Sequence, residues 1–213
     1  MSRKTTIGIT GGIGSGKSVV SRVLRCNGLV VYDCDSEAKI IMVKDKFVKE
    51  SLIKKLGKDI YTSSGELNRG KLANIIFTDS ALRTYVNSIV HEAVRKDIEE
   101  KRKRHEGKFF IESAILASSG LVTMCNTVWL VTAPLEERIN RVMKRDKSEF
   151  ASVMQRVSSQ EKEMESLPDE KVVIIDNDCH SALLPEIFKL INKQIHNTYT
   201  NHYHVERNFS NNG

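Results

Sequence analysis

Long apolar runs are missing from this sequence: nothing approaches the roughly 18 consecutive apolar residues a membrane-spanning helix needs, so no membrane partner is expected. Cysteine is scarce. Cys26, Cys34, Cys125 and Cys179 lie far apart, with no C-x-x-C pair and no histidines at metal-ligand spacing. That excludes a disulfide framework or a zinc site and leaves reduced, mostly buried thiols. Aromatic residues are only 6% and do not interleave with the basic ones, so a stacking platform for nucleic acid is absent. There is no internal repeat and no low-complexity segment. The N-terminal Met1-Ser2-Arg3-Lys4 is basic, but the apolar stretch after it is short and leads into glycines without a cleavage site; a cytoplasmic chain is expected. His202-Tyr203-His204 sits in a polar tail and reads as a chain terminus rather than a metal site.

What is present is a globular composition. The 213 residues suffice for one core, or one core with an inserted subdomain. A net charge of +6 admits nucleic acid, an anionic surface or a phosphate-rich small molecule as partner. The densest basic run, Lys101-Arg102-Lys103-Arg104, follows Asp97-Ile98-Glu99-Glu100 at i,i+4 spacing. It reads as the exposed face of a helix, so no nucleic-acid partner is expected.

Thr5 to Thr10 is a β-rich run that stops at Gly11-Gly12. From Ser18 the apolar spacing becomes helical, through Val19, Val20, Val23 and Leu24, and Asn27-Gly28 signals the helix end. Leu29 to Tyr32 is a second strand, closed by Asp33 and Asp35. Residues 36–106 read as amphipathic helices broken at Gly57, Ser63-Ser64-Gly65 and Thr78-Asp79-Ser80. Strands return at Phe109 to Ile111, Val128 to Val131 and Val172 to Ile175. Between them lie a helix begun by Pro134 and a polar stretch from Asp146 to Glu170 that reads as a lid; a last helix follows Pro185. Five strands separated by helices predict an α/β fold with a parallel sheet.

The segment Gly11-Gly12-Ile13-Gly14-Ser15-Gly16-Lys17-Ser18 fits G-x-x-x-x-G-K-[ST] and sits between a strand and a helix, as that motif requires. Glycines let the chain curl so that backbone N–H groups converge on phosphate oxygens. The helix adds its positive end. Lys17 supplies a point charge for the β- and γ-phosphates, and Ser18 a hydroxyl for Mg²⁺. The chain is therefore expected to bind a nucleoside triphosphate. No aspartate is followed by glycine three positions on, and Asn192-Lys193-Gln194-Ile195 lacks the base-reading aspartate, which argues against a GTPase switch. The chain is short for a motor or transporter ATPase; a small phosphotransferase remains.

Asp33 and Asp35 stand at the carboxyl end of the second strand, where open α/β sheets place ligands. They are either acids for a substrate hydroxyl or caps for the helix near Ser36. Arg141 and Arg145 share a helix face and, with Arg138 and Arg156, flank the polar stretch; they are phosphate ligands or solvated charge. Glu112 ends the third strand and could reach Mg²⁺ through water.

The combination of Thr10 to Ser18 (TGGIGSGKS) with Val31 to Lys39 (VYDCDSEAK) resembles the dephospho-CoA kinase family, which typically reads T-G-G-I-G-S-G-K-S and then D-A-D. The resemblance runs through Ile89-Val90-His91, Glu112 to Leu116, Ala133-Pro134-Leu135 with Arg138, Arg141, Arg145 and Asp146, then Gln160 and Ile175 to Asp178, up to about residue 195. It implies one P-loop kinase domain over 1–213, a three-layer α/β/α core with a five-stranded parallel sheet, a helical substrate domain and a lid. The core would take about 1–35, 107–145 and 171–195, the helical CoA subdomain about 36–106, and the lid about 146–170. The implied reaction moves the ATP γ-phosphate to the ribose 3′-hydroxyl of dephospho-CoA, the last step of coenzyme A synthesis. By position, Asp35 is the general base with Asp33 beside it, Thr10 and His91 face the acceptor, and Arg141 and Arg145 face ATP. Asn177 approaches the adenine; Gly12, Ile13, Gly14, Ser15, Gly16, Lys17 and Ser18 hold the phosphates. The chain departs from the family pattern where His-Pro becomes His91-Glu92, where Pro-Leu-Leu-Phe-Glu becomes Ala114 to Ser118, at Cys34 between the acids, and at Lys171-Val172. Two other readings are a different small P-loop kinase and a nucleotide-dependent nucleic-acid-binding protein using residues 101–104. Nothing in the sequence sets an oligomeric state.

Overall fold

The computed structural model describes residues 4–178 and 182–192; Cys179, the 202–204 cluster and the polar tail lie outside the described residues. Strand β1 (Thr5–Thr10) is buried at every position, as a β-rich run covered on both faces must be. Helix α1 (Lys17–Cys26) follows it and ends at Asn27-Gly28, with Gly28 at φ 75°. Then come β2 (Val30–Asp33), four helices α2 (Cys34–Lys44), α3 (Lys46–Leu56), α4 (Arg69–Thr78) and α5 (Ser80–Arg104), and β3 (Lys108–Glu112). The chain continues through β4 (Thr127–Thr132), α6 (Leu135–Asp146), α7 (Phe150–Glu165), β5 (Val172–Asp176) and α8 (Leu183–Asn192).

All five strands run parallel in the order β2-β3-β1-β4-β5. The chain leaves central β1 toward β2, returns to β3, then crosses to β4. Crossovers therefore diverge beside β1, and open sheets bind ligands at the carboxyl ends next to such a switch. Thr10, Asp33, Glu112, Thr132 and Asp176 all end their strands there.

Side chains alternate between the sheet's two faces. Phe109, Ile111 and Val128 pack with Val90, Val94 and Ile98 of α5. Phe110, Ile9 and Ile175 pack on the other face with Val20 and Leu24 of α1 and Ile187 of α8. Phe110 meets Trp129 edge-on at 5.3 Å between ring centroids. Buried Val86, Val90, Val94 and Ile98 recur every fourth residue, which seats the 25-residue α5 on the sheet.

Strand and helix ends shift by a residue or so from the sequence pattern, and the helical segments differ further. The helical stretch after β2 also breaks at Asp45, whose carboxylate caps α3 at Val48 N, 2.8 Å, with no glycine or proline to mark it. The last helix begins at Leu183, so Pro185 lies in its first turn, where a missing N–H costs nothing. Within the polar stretch 146–170, residues 150–165 are helical. Its Val153 and Val157 close a small cluster with Ile13 of the glycine loop and Ile139 and Val142 of α6. In the basic run, Lys101 is paired with Glu37 and Asp97 at 3.0 and 2.9 Å. Among the described residues no helix is long and apolar enough to cross a membrane.

Candidate active site

The loop from Gly11 to Gly16 curls at the head of β1 because its glycines adopt backbone angles closed to other residues. Gly14 has φ 78° and Gly16 φ 101°. A Cβ on Gly14 would strike the Arg138 carbonyl, and one on Gly16 would strike Asn177 Nδ2. No side chain caps the start of α1, so its first N–H groups are free for an anion. Ser15 Oγ and Thr10 Oγ1 are buried without a hydrogen-bond partner. Such orphaned hydroxyls suit phosphate oxygens better than a closed protein interior. Lys17 Nζ donates to the carbonyls of Gly11, 2.6 Å, and Gly12, 3.2 Å. Burial pulls its pKa down to about 8, against the opposing attraction of Glu112 and Asp35.

The loop is braced from outside by α6, α7 and the end of β5. Arg138 Nε donates to Ile13 O at 3.0 Å. Arg141 donates to Asn177 O at 2.8 Å and to Gly14 O at 3.4 Å, and is paired with Glu137 at 2.8 Å. Asn177 Nδ2 donates to Ser15 O at 2.8 Å. Arg145 turns away to Asp146, 2.6 Å, which Arg156 also reaches at 2.8 Å. Hydrogen bonds from both arginines hold the Asp146 carboxyl well below the usual range. The two arginines that share a face by spacing thus part company, although Arg145 still lies within electrostatic reach of Lys17.

Next to the loop, a cavity of about 80 Å³ is lined by Cys34, Asp35, His91, Ser113, Ile115 and Leu121, among others. Asp35 is exposed in the first turn of α2. Asp33 is the α2 cap: its Oδ1 accepts Ser36 N at 3.1 Å and its Oδ2 accepts Ser36 Oγ at 2.8 Å. Burial, with Arg95 nearby, lowers the His91 pKa, which keeps the imidazole neutral at pH 7. Burial pushes up the Cys34 thiol, aided by Asp35 and Asp33, so it remains protonated. Burial also raises the Glu112 carboxyl, with Asp33 adding to the shift and Lys17 opposing it.

Thr10 lies buried at the foot of the loop, and Ser18 is exposed on α1. Among the described residues no three His, Cys, Asp or Glu side chains gather tightly enough to hold a metal alone. The oxygen donors at the site, the Ser18 hydroxyl and the strand-end Glu112, fit Mg²⁺, which keeps waters and leans on phosphates. Sequence reasoning named Gln160 only within the family resemblance and gave it no role; its Oε1 accepts Ile13 N at 2.6 Å. It left out Glu163, a 7% exposed carboxylate that accepts the N–H groups of Ala117 and Ser118. Ser118 stands where the family pattern carries glutamate. The available signal was position: Gln160 and Glu163 fall in the inward stripe of Val153, Val157 and Leu167.

The profile of the dephospho-CoA kinase family matches residues 5–182. The dephospho-CoA kinase of Porphyromonas gingivalis is 42% identical over 187 residues, 87% of this chain and 92% of that protein. That of Bacteroides fragilis is 38% identical over 87% and 90% of the two chains. Among solved structures, TT1252 from Thermus thermophilus superposes with a TM-score of 0.72 at 30% identity, covering 89% and 95%. Dephospho-CoA kinase from Campylobacter jejuni, 22% identical, shares the fold at a TM-score of 0.62 over 87% and 94%. A profile match over most of the length and relatives 42% and 38% identical place this chain in the dephospho-CoA kinase family.

Proposed function

We propose that the protein transfers the γ-phosphoryl group of ATP to the ribose 3′-hydroxyl of dephospho-CoA, yielding coenzyme A and ADP. One observation carries the reading beyond family membership. Asp35 lines the acceptor cavity with His91 and also lies within electrostatic reach of Lys17 in the loop. In this reading a donor site and an acceptor site meet at one carboxylate.

Phosphoryl transfer through a loose transition state asks mainly for positioning and charge stabilisation. The loop N–H groups and Lys17 receive the β- and γ-phosphates; the Ser15 and Thr10 hydroxyls complete the cradle. Asp35 accepts the 3′-hydroxyl proton as oxygen attacks phosphorus and the bond to ADP breaks. Asp33, engaged by Ser36, positions α2 and hence Asp35. Neutral His91 offers a hydrogen bond to the acceptor without repelling Lys17. Arg138 and Arg141 hold the loop shape, Arg145 reaches the phosphates by leaving Asp146, and Asn177 stands at the adenine side. Ser18, with Glu112 through water, would hold Mg²⁺, which neutralises phosphate charge when bound. In this reading helices α2–α5 form the acceptor subdomain and residues 146–170 the lid over a cytoplasmic enzyme's nucleotide.

The test is ADP release from MgATP, comparing dephospho-CoA with AMP, UMP, adenosine and no acceptor. Strong stimulation by dephospho-CoA alone is the expected outcome. Equal stimulation by AMP or adenosine would make the protein a different small-molecule kinase.

A further inference from the structure

Between β3 and β4 the chain forms a strap, residues 113–121, whose Ser113, Ile115, Ser119 and Leu121 make one wall of the acceptor cavity. Its base is fixed by the sheet, since Ser113 N donates to Ile9 O at 3.0 Å and Leu116 is fully buried. Its far end turns on itself, with Ser119 N donating to Ile115 O and Gly120 N to Ala117 O, both at 2.9 Å, and two charged side chains from different elements tie that turn to the helices. Arg95 of α5 donates to Ser119 O at 3.1 Å. Glu163 of α7 accepts Ala117 N at 2.5 Å and Ser118 N at 3.2 Å on Oε1, and reaches Ser118 N at 3.2 Å again with Oε2. A 7% exposed carboxylate with only backbone donors for partners is costly to bury unless those bonds are kept. One turn earlier on the same helix, Gln160 holds Ile13 of the phosphate loop.

We infer that Glu163 is a positioning residue that sets the acceptor-cavity wall from α7, so that acceptor affinity depends on how α7 sits against the phosphate loop. The inference rests on the reading of this cavity as the acceptor site. It assigns to Glu163 no contact with substrate. Glu163 acts on the Ala117 and Ser118 amides, Arg95 holds the neighbouring Ser119 carbonyl, and Ser119 itself lines the cavity.

The experiment compares the full-length chain with Glu163→Gln, Glu163→Ala and Arg95→Ala. Gln retains one acceptor oxygen but turns an N–H₂ toward the Ser118 N–H; Ala leaves both amides unpaired. Acceptor KM should rise about tenfold for Gln and more for Ala, as for a buried donor left unpaired. Saturating kcat and the ATP Kd should change less than about twofold, and Arg95→Ala should show the same split. Amide hydrogen exchange should quicken across 113–121 in each variant. An unchanged acceptor KM, an ATP Kd that weakens in step with it, or faster exchange confined to residues 117 and 118 would overturn the inference. If Glu163→Ala does not fold, Glu163→Gln and Arg95→Ala decide. If the wild-type protein prefers another acceptor, the proposed function fails and the same KM split is measured with that acceptor. With no acceptor turned over, the exchange pattern decides alone.

Discussion

Gln160 Oε1 and the backbone N–H of Ile13 are joined by a 2.6 Å hydrogen bond across 147 residues of chain. The next peptide unit is gripped as well, where Arg138 Nε donates to Ile13 O at 3.0 Å. Apolar contacts of Ile13 with Ile139, Val142, Val153 and Val157 support both. Helices α6 and α7 therefore rest on the phosphate loop. A neutral amide is the right acceptor there, because an anion at this position would face the incoming phosphates. Gln160→Glu should weaken ATP binding about tenfold or more, and Gln160→Ala by only a few fold. Calorimetric ATP titration checks both; equal losses would show that charge at this position is immaterial.

Gly16 and Asn177 make a second constraint on the loop. Asn177 holds Ser15 O, and its amide occupies the space a Cβ on Gly16 would need. Gly16→Ala should reduce kcat/KM by about two orders of magnitude or more, through both the clash and the strain of φ 101°. Adding Asn177→Ala removes the clash but not the backbone strain. The double variant should therefore recover little, and full recovery would show that the collision alone matters.

The loop, the five strands and the parallel sheet were legible because each is a local pattern: β-branched runs between breaks, and a glycine spacing with a defined neighbour on each side. Strand order was not legible, since nothing in the β3 pattern says that it lies between β1 and β2. The break at Asp45 carries no glycine or proline, only a carboxylate cap. Arg141 and Arg145 have the spacing of a pair, yet long side chains choose partners from their surroundings, and Asp146 captures the second. Glu163 was hidden for a related reason. In a polar stretch, only the faint stripe of Val153, Val157 and Leu167 tells an inward carboxylate from a solvated one.

The two aspartates after β2 should separate cleanly. The Asp35 side chain makes no hydrogen bond among the described residues and lines the cavity, whereas Asp33 caps α2 through Ser36. Asp35→Asn should cut kcat by about 10²–10⁴-fold with the melting temperature unchanged. Asp33→Ala should destabilise the protein by about 1 kcal/mol through loss of the cap, and slow turnover as α2 loosens. Steady-state kinetics beside thermal melts checks both. Near-normal kcat in Asp35→Asn would remove it as the base.

Lys17 gives the nucleotide site a pH dependence. Its folded-state pKa of about 8 lies below the ordinary 10.5 because burial disfavours the ammonium, so the group destabilises the free protein when charged. Stability of the nucleotide-free protein should thus rise as pH climbs from about 8 toward 10.5, since the unfolded chain then binds more protons. Phosphate reverses the preference: bound ATP favours the ammonium, and the pKa rises. ATP binding above pH 8 must then take up a proton, and Kd should weaken by up to about tenfold between pH 7 and pH 9. Calorimetry in buffers of different ionisation enthalpy reads the proton directly. Lys17→Arg, which stays charged throughout, should show no proton uptake in that range. If the wild-type protein also takes up none, the ammonium is already held charged before the phosphates arrive.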